Sequence, residues 1–250
     1  MAYTNNKFCW HGVISTDTEK AQGFYESVLD WTSMTVPMGD SEATMFCAKD
    51  GVPRAHLSAP EMDGIPSHWD NYLRVEDVDA TTQAAVENGG AVVVPPMDIP
   101  VGRMSFVSSP SGAIVSLFRE SDPSVEDAGE GHGSIHWTEL MTTDVDADLA
   151  WVKATFGFDV EDMPMPQAGT YHILKSGDQM CAGLMPAPVE GMPSVWMSWV
   201  QVDDVDDVAG RVAAGGGQVH GEIMDMEGIG RMVPVCDPTG GSFGIITPAS

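Results

Sequence analysis

Basic residues are scarce in this chain of 250 residues. It has 11 Lys and Arg against 37 Asp and Glu, which gives a formal net charge of −26 at pH 7. Such a surface repels phosphate groups, so the charge argues against binding to nucleic acid or to an anionic membrane. The charge is typical of adaptation to a salty medium, where ions screen the repulsion between like charges. A specific basic partner is the alternative explanation.

Cysteine and long apolar runs are also lacking. The four cysteines, Cys9, Cys47, Cys181 and Cys236, lie far apart and form no C-x-x-C pair, which favours reduced thiols. No apolar run approaches the roughly 18 residues that a membrane-spanning helix needs, and the first residues do not have the pattern of a signal peptide. We therefore expect a cytoplasmic protein that does not associate with membranes.

What the chain does have is an internal repeat. Equivalent features recur across a shift of 127 residues: Trp10 and Trp137, Trp69 and Trp196, the Val-x-Asp-Val-Asp motifs at Val75 and Val202 and, one inserted residue later, the Gly-Arg-Met motifs at Gly102 and Gly230. A repeat of this length indicates a duplicated domain, because solenoid units are about 20 to 50 residues long. We expect domains at residues 1–120 and 134–250, joined by a polar, acid-rich linker at 121–133.

Each half in turn divides into two similar units of about 55 to 60 residues, a length that suits one helix and a few strands. In the first unit, Thr16 and Glu19 form a capping box that predicts the start of a helix, and apolar residues follow at helical spacing. Short strand-like runs separated by turns surround each predicted helix. The sequence therefore predicts an α+β protein made of four βαβββ modules.

This organisation resembles the vicinal oxygen chelate superfamily, which includes glyoxalase I, extradiol dioxygenases and the fosfomycin and bleomycin resistance proteins. The resemblance rests on the fourfold unit, the capped helix that ends in Phe24-Tyr25, the Val-x-Asp-Val-Asp junctions and the Asp-Pro-x-Gly turn at Asp237. Among its members, the chain is most similar to two-domain, four-module proteins related to a mycobacterial glyoxalase-like antigen. The resemblance implies two open-barrel, cup-shaped sheets rich in antiparallel pairs. In catalytic members, His, Gln or Glu side chains on these sheets hold a divalent metal.

The metal-ligand positions implied by the resemblance are incompletely filled. They hold Trp10, His56, Asp70 and Ser116 in the first half, and Trp137, Gly183, Met197 and Gly244 in the second. Indole cannot ligate a metal, and His56 with Asp70 is at most a partial site, provided that the modules of one half pair with each other. Since catalytic zinc or non-haem iron needs three good ligands, we expect no metal cofactor.

Several of these residues are candidates for binding a ligand. Trp10 and Trp137 could form flat apolar floors for an aromatic molecule, although filled cups with tryptophan as core are an equal alternative. Met197 would line the second cup, where Gly183 and Gly244 leave room opposite Trp137. We therefore expect the larger cavity, and any ligand, beside Trp137.

Three charged residues complete the candidates. Arg103 and Arg231 recur in the Gly-Arg-Met motif and could bind an anionic ligand, the alternative being a structural pair with an acidic residue. Glu139 lies two residues after Trp137 on a predicted strand, so both should share one face. A carboxyl group inside an apolar cup could act as a general acid or base, or could be a partnered structural residue.

Two functions remain open. The first is a protein that binds a small organic molecule without a complete metal site, as drug-resistance proteins of this superfamily do. The second is an enzyme, of lyase, isomerase or dioxygenase type, that uses Glu139, or His56 and Asp70, with or without a metal. The assembly is expected to be a monomer or a homodimer.

Overall fold

The computed structural model describes residues 5–39, 41–122, 129–165 and 169–249. Within these ranges the chain forms four helices and 17 strands in two mixed sheets, which confirms the α+β class. The two halves repeat one order of elements, with one additional short strand in the second, so the duplication predicted from the sequence is confirmed. None of the described helices is long and apolar enough to span a membrane.

The first half contains eight strands and two helices. In chain order they are β1 (Phe8–Ile14), α1 (Thr18–Leu29), β2 (Thr32–Met38), β3 (Ser41–Cys47), β4 (Pro53–Ser58), β5 (His68–Arg74), α2 (Val78–Glu87), β6 (Ala91–Ile99), β7 (Gly102–Ser108) and β8 (Ile114–Glu120). They form one sheet in the order β2-β3-β4-β1-β5-β8-β7-β6. The pairs β1–β4 and β5–β8 are parallel, whereas β2–β3, β3–β4, β6–β7 and β7–β8 are antiparallel.

The second half repeats this arrangement. Its elements are β9 (Ile135–Thr142), α3 (Val145–Phe156), β10 (Asp159–Met165), β11 (Gly169–Ser176), β12 (Gln179–Pro186), β13 (Val195–Gln201), α4 (Val205–Ala214), β14 (Gln218–Val219), β15 (Met224–Met226), β16 (Gly230–Cys236) and β17 (Ser242–Pro248). The sheet order is β10-β11-β12-β9-β13-β17-β16-β14, and β15 pairs with β16. Both sheets are open, because each ends on two different edge strands.

All four helices begin with an aspartate cap. The side chains of Asp17, Asp77, Asp144 and Asp204 each accept a backbone N–H from the first turn. The prediction that Thr16 caps α1 was wrong by one residue, since the first-turn N–H of Lys20 donates to Asp17 Oδ1 at 3.0 Å. An aspartate at this position also places negative charge at the positive end of the helix dipole.

The compact units of the structure each combine one module from each half. Unit 1 comprises residues 1–9, 71–127 and 138–197, and unit 2 comprises residues 10–70, 128–137 and 198–250, as far as these are described. Each unit has its own hydrophobic core of buried aliphatic and aromatic side chains. The sheets therefore follow the two halves, while the packing of the cores pairs modules across them. Residues 123–128 of the predicted linker lie outside the described residues.

Candidate functional site

In unit 1, Glu139 faces away from the hydrophobic core although it is almost fully buried. It lies on β9 with Gly183 on β12 as its register partner, and only 4% of the residue is exposed. The next residues on the two strands, Leu140 and Leu184, belong to the core. Since side chains alternate along a strand, Glu139 and Gly183 share the opposite face of the sheet.

Tyr171 is the partner of Glu139 on that face. Its hydroxyl group donates a hydrogen bond to Glu139 Oε2 at 2.8 Å. Tyr171 lies on β11, two residues before Ile173, which is the register partner of Gly183. Tyr171 is not among the residues predicted from the sequence, although its alternation with Ile173 on a predicted strand beside Gly183 could have indicated it.

Met197 lies on the same side of the sheet. It is buried on β13, which neighbours β9, and the adjacent Trp196 points into the core. We call Glu139, Tyr171, Gly183 and Met197 the Glu139 site. Trp137 precedes Glu139 by two residues on β9 and is partly buried. The Glu139 site thus presents one buried carboxyl group, one phenol and a thioether.

In unit 2, the equivalent strand positions also carry one glycine and one polar residue, but on the reverse strands. Gly12 on β1 stands where β9 has Glu139, and its register partner on β4 is His56, which stands where β12 has Gly183. A Cβ atom on Gly12 would lie 2.5 Å from His56 Cε1, so the imidazole occupies the space above the glycine. In unit 2, glycine at position 12 therefore provides the room that the His56 imidazole occupies.

The imidazole of His56 is held by Trp10. The indole N–H of Trp10 donates to His56 Nδ1 at 3.1 Å, so the neutral ring carries its proton on Nε2. Burial lowers the pKa of His56, although the negative charge of Asp70 partly opposes this effect. His56 is therefore predominantly neutral at pH 7, with no lone pair on Nε2.

Asp70 and His68 complete this group of residues on β5. Asp70 Oδ1 lies 3.4 Å from Nε2 of His68, and the Asp70 hydrogen bond raises the pKa of His68 despite partial burial. The other ring nitrogen, Nδ1, lies 2.8 Å from the carbonyl oxygen of Pro66. We call Trp10, Gly12, His56, His68 and Asp70 the His56 site.

Neither site provides the ligands of a catalytic metal. In the His56 site, the Nδ1 lone pair accepts the indole N–H and Nε2 carries the proton. Neither ring nitrogen therefore has a free lone pair for a metal ion. In the Glu139 site, Gly183, Met197 and Tyr171 are the other residues, and none of them is a His or an Asp. Among the described residues, no three His, Cys, Asp or Glu side chains lie together so that they could hold a metal ion. The residues present therefore do not fit the three-ligand site that catalytic members of the fold use.

The remaining predicted positions are packed with aromatic rings. A Cβ atom on Gly244 would lie 2.1 Å from the ring of Trp199, its register partner on β13. The expectation that Gly244 leaves an open wall was therefore wrong, because Trp199 fills that space. In unit 1, Ser116 pairs with Tyr72, whose ring packs edge-on against Phe106 and Phe118.

The two repeated arginines lie in ion pairs with aspartates of the first helical turn and of a strand. Arg103 donates twice to Asp79, at 2.6 and 2.8 Å, and once to Asp98 at 2.7 Å. Arg231 repeats this geometry with Asp206, at 2.7 and 2.9 Å, and Asp225, at 2.6 Å. Both guanidinium groups are thus used for structural pairing, and we do not include them in the candidate site.

Comparison with known proteins matches the sequence of this chain to one family. The family model described as "Glyoxalase/Bleomycin resistance protein/Dioxygenase superfamily" matches residues 8–117 and again residues 134–243. The chain belongs to this superfamily. The provisionally named glyoxylase CFP32 of Mycobacterium tuberculosis is 34% identical over 96% of this chain and 94% of its own length.

Two further comparisons show how varied the similar proteins are. The anthracycline biosynthesis protein DnrV of Streptomyces peucetius is 27% identical over 95% of this chain and 91% of its own length. Among solved structures, the Mn(II)-bound glyoxalase of Novosphingobium aromaticivorans superposes with a TM-score of 0.66 at 17% identity, covering 97% of this chain and 82% of that protein. At this identity the superposition shows a shared fold and nothing about a shared metal.

Proposed function

We propose that this protein binds a small organic molecule at the Glu139 site without a catalytic metal. The observation that carries the proposal is the buried carboxyl group of Glu139, which faces away from the core and accepts the hydroxyl group of Tyr171. Buried polar residues of this kind orient a ligand in a mostly apolar pocket. The incomplete ligand sets of both sites support binding that does not depend on a metal.

The residues of the site favour a planar, hydroxylated ligand. Met197 offers a polarisable apolar surface, and Tyr171 offers an aromatic ring. A carboxylate accepts hydrogen bonds and repels anions, so the ligand should bear a hydroxyl group and no negative charge nearby. An anthracycline has these properties, and DnrV is named for anthracycline biosynthesis.

Proton transfer is the second candidate function. The hydrogen bond from Tyr171 to Glu139 joins a phenol and a carboxyl group at 2.8 Å, a geometry suited to moving a proton to or from a bound molecule. This would make the protein a lyase or isomerase of glyoxalase type in which Glu139 is the general base. Turnover of the bound molecule, not binding alone, separates this function from the first.

Titration with an anthracycline, followed by quenching of tryptophan fluorescence, tests the proposal. We expect saturable binding that Glu139→Gln and Tyr171→Phe each weaken about 10-fold or more, as expected for the loss of a buried hydrogen bond to a charged group. Glu161→Gln removes the same charge from an exposed residue on β10 and should leave binding unchanged. Equal weakening by the three variants, or binding unaffected by Glu139→Gln, would contradict the proposed site.

A further inference from the structure

Unit 1 contains a polar cavity that none of the residues of the Glu139 site lines. It has a volume of about 210 Å³ and lies where the segment before β1, the start of α2 and the end of α3 meet. Its polar lining consists of Asn5, Asn6, Glu76, Thr81 and Thr155. We call it the Asn5 cavity.

The Asn5 cavity offers oxygen atoms but few hydrogen-bond donors. Asn5 Oδ1 and Thr155 Oγ1 are buried and have no hydrogen-bond partner among the described residues. Two donors nearby are already used, since Asn6 Nδ2 donates to the carbonyl of Phe156 at 2.8 Å and the hydroxyl of Thr81 donates to the carbonyl of Asp77 at 2.7 Å. The buried Asn5 Oδ1 requires a partner that donates or carries positive charge, whereas the Thr155 hydroxyl can either accept such a partner or donate its own proton.

The charged side chain among the described lining residues is negative. Glu76 contributes a carboxylate, and no Lys or Arg is among the described residues that line the cavity. The C-terminal end of α3, at Thr155 and Phe156, adds the negative end of a helix dipole. The start of α2 brings the positive end of its own dipole to the same cavity and opposes this contribution, so the Glu76 carboxylate and the unpartnered Asn5 Oδ1 are the groups that favour a cation.

Unit 2 contains the repeat-equivalent of this place, which allows a direct comparison. Asn5 and Asn6 correspond to His132 and Gly133 by the shift of 127 residues. The backbone is the same at both places: Asn6 N–H donates to the carbonyl of Arg74 at 2.8 Å, and Gly133 N–H donates to that of Gln201 at 2.7 Å. Both residues have positive φ, 60° for Asn6 and 79° for Gly133.

In unit 2 the protein fills this place with its own side chain. The His132 side chain is only 10% exposed, and its Nε2 lies 3.3 Å from Asp30 Oδ2. Its Nδ1 accepts the backbone N–H of Asp203, the residue that corresponds to Glu76. Val28 stands where unit 1 has Thr155, so this copy has no unpartnered hydroxyl at that position. The imidazole of unit 2 thus supplies an N–H group near acidic residues where unit 1 has a cavity.

We propose that the Asn5 cavity binds a small cation, which takes the place that the His132 imidazole occupies in the other copy. Asn5 Oδ1, Thr155 Oγ1 and the Glu76 carboxylate are its ligands, either directly or through water, as is usual for hard cations with oxygen ligands. An alkali ion and the ammonium head of a small amine share this chemistry. The proposal is independent of ligand binding at the Glu139 site.

Thermal unfolding in three chloride salts at equal ionic strength tests the proposal. Potassium and methylammonium are the two probes, and choline, which is bulky and has no N–H group, controls for screening. We expect the melting temperature to be about 2–4 °C higher in at least one probe salt than in choline chloride, as mass action predicts for a ligand that binds the folded state. A rise in potassium alone identifies an alkali ion, and a rise in methylammonium alone identifies an amine.

Two variants connect this effect to the cavity. Asn5→His introduces the side chain that unit 2 has at the equivalent position. Thr155→Val removes the unpartnered hydroxyl group at nearly constant volume. Both should abolish the difference between probe and control salts, whereas His132→Asn, in the other copy, should retain it. Equal melting temperatures in all three salts would overturn the proposal, as would a difference that persists in both Asn5→His and Thr155→Val.

Discussion

The indole N–H of Trp10 points at Nδ1 of His56, 3.1 Å away, and donates a hydrogen bond to it. This contact changes the meaning of a histidine at a metal-ligand position. A ring whose Nδ1 accepts a hydrogen bond and whose Nε2 carries the proton is a donor toward its surroundings rather than a ligand. Tryptophan at the neighbouring position therefore does more than fail to bind a metal, because it also occupies the lone pair of the histidine.

Metal content follows from this arrangement. We expect the purified protein to retain no stoichiometric zinc, iron or manganese after dialysis, measured by plasma mass spectrometry, because neither site offers three ligands. Trp10→Phe frees His56 Nδ1 and is the matched variant, yet it should gain at most weak metal binding. One equivalent of metal that survives dialysis and is lost in His56→Ala would contradict this prediction.

Gly12 should be intolerant of even one methyl group. A Cβ atom there would lie 2.5 Å from His56 Cε1 and 3.3 Å from Asp70 Cβ, so Gly12→Ala should lower the free energy of unfolding by about 1–3 kcal/mol, the usual cost of overpacking. Gly23→Ala is the control, because Gly23 lies within α1 with open space around it. This substitution should stabilise the protein by about 0.5–1 kcal/mol.

A double-mutant cycle checks the cause of that loss. In a His56→Ala background the imidazole is absent, so Gly12→Ala should cost clearly less than in the wild-type protein, as measured by urea unfolding. The same cost in both backgrounds would show that the backbone, not the imidazole, requires glycine at this position.

The periodic and repeated features of the fold could be predicted from the sequence. The four modules and their repeat are visible in the sequence. The strands with buried residues, such as β1 and β5, also have clear patterns of apolar residues. The edge strands β2, β6 and β10 have the weakest sequence pattern, because they are half exposed and contain prolines such as Pro37 and Pro164, which mask the alternation.

The site was predictable only in part. Glu139, His56 and Asp70 lie at strand positions that the repeat identifies, and the structure places them facing away from the cores. The hydrogen bonds of Tyr171 and Trp10 depend on side-chain directions between different strands, which spacing along one chain does not determine. Trp199 illustrates the same limit, because its ring fills the space that Gly244 alone appeared to leave open.

The structural role of Arg231 predicts a small effect of its removal. Its pairs with Asp206 and Asp225 are exposed to solvent, which screens them, so Arg231→Met should change the free energy of unfolding only slightly, and still less at molar salt. Anthracycline binding, measured by fluorescence, should be the same as in the wild-type protein. A loss of binding without a loss of stability would return Arg231 to the ligand site.

His56 and His68 should titrate on opposite sides of the ordinary histidine pKa of about 6.5. Burial lowers the pKa of His56, and the Asp70 hydrogen bond raises that of His68, so an NMR titration should show two separate transitions. Asp70→Asn should lower both pKa values, because Asp70 favours the protonated form of each ring. A pKa of His68 unchanged in Asp70→Asn would contradict the assignment of the hydrogen bond.

The two histidines should also affect stability with opposite signs. Below about pH 6.5, His56 is protonated more readily in the unfolded chain than in the folded protein. This residue therefore lowers the free energy of unfolding as the pH falls. His68 is protonated more readily in the folded protein, so its contribution is present below about pH 6.5 and is lost as the pH rises through its raised pKa. His56→Gln should therefore reduce the loss of melting temperature between pH 6.5 and 5, whereas His68→Gln should increase it. The same pH dependence in both variants would show that neither shift is coupled to folding.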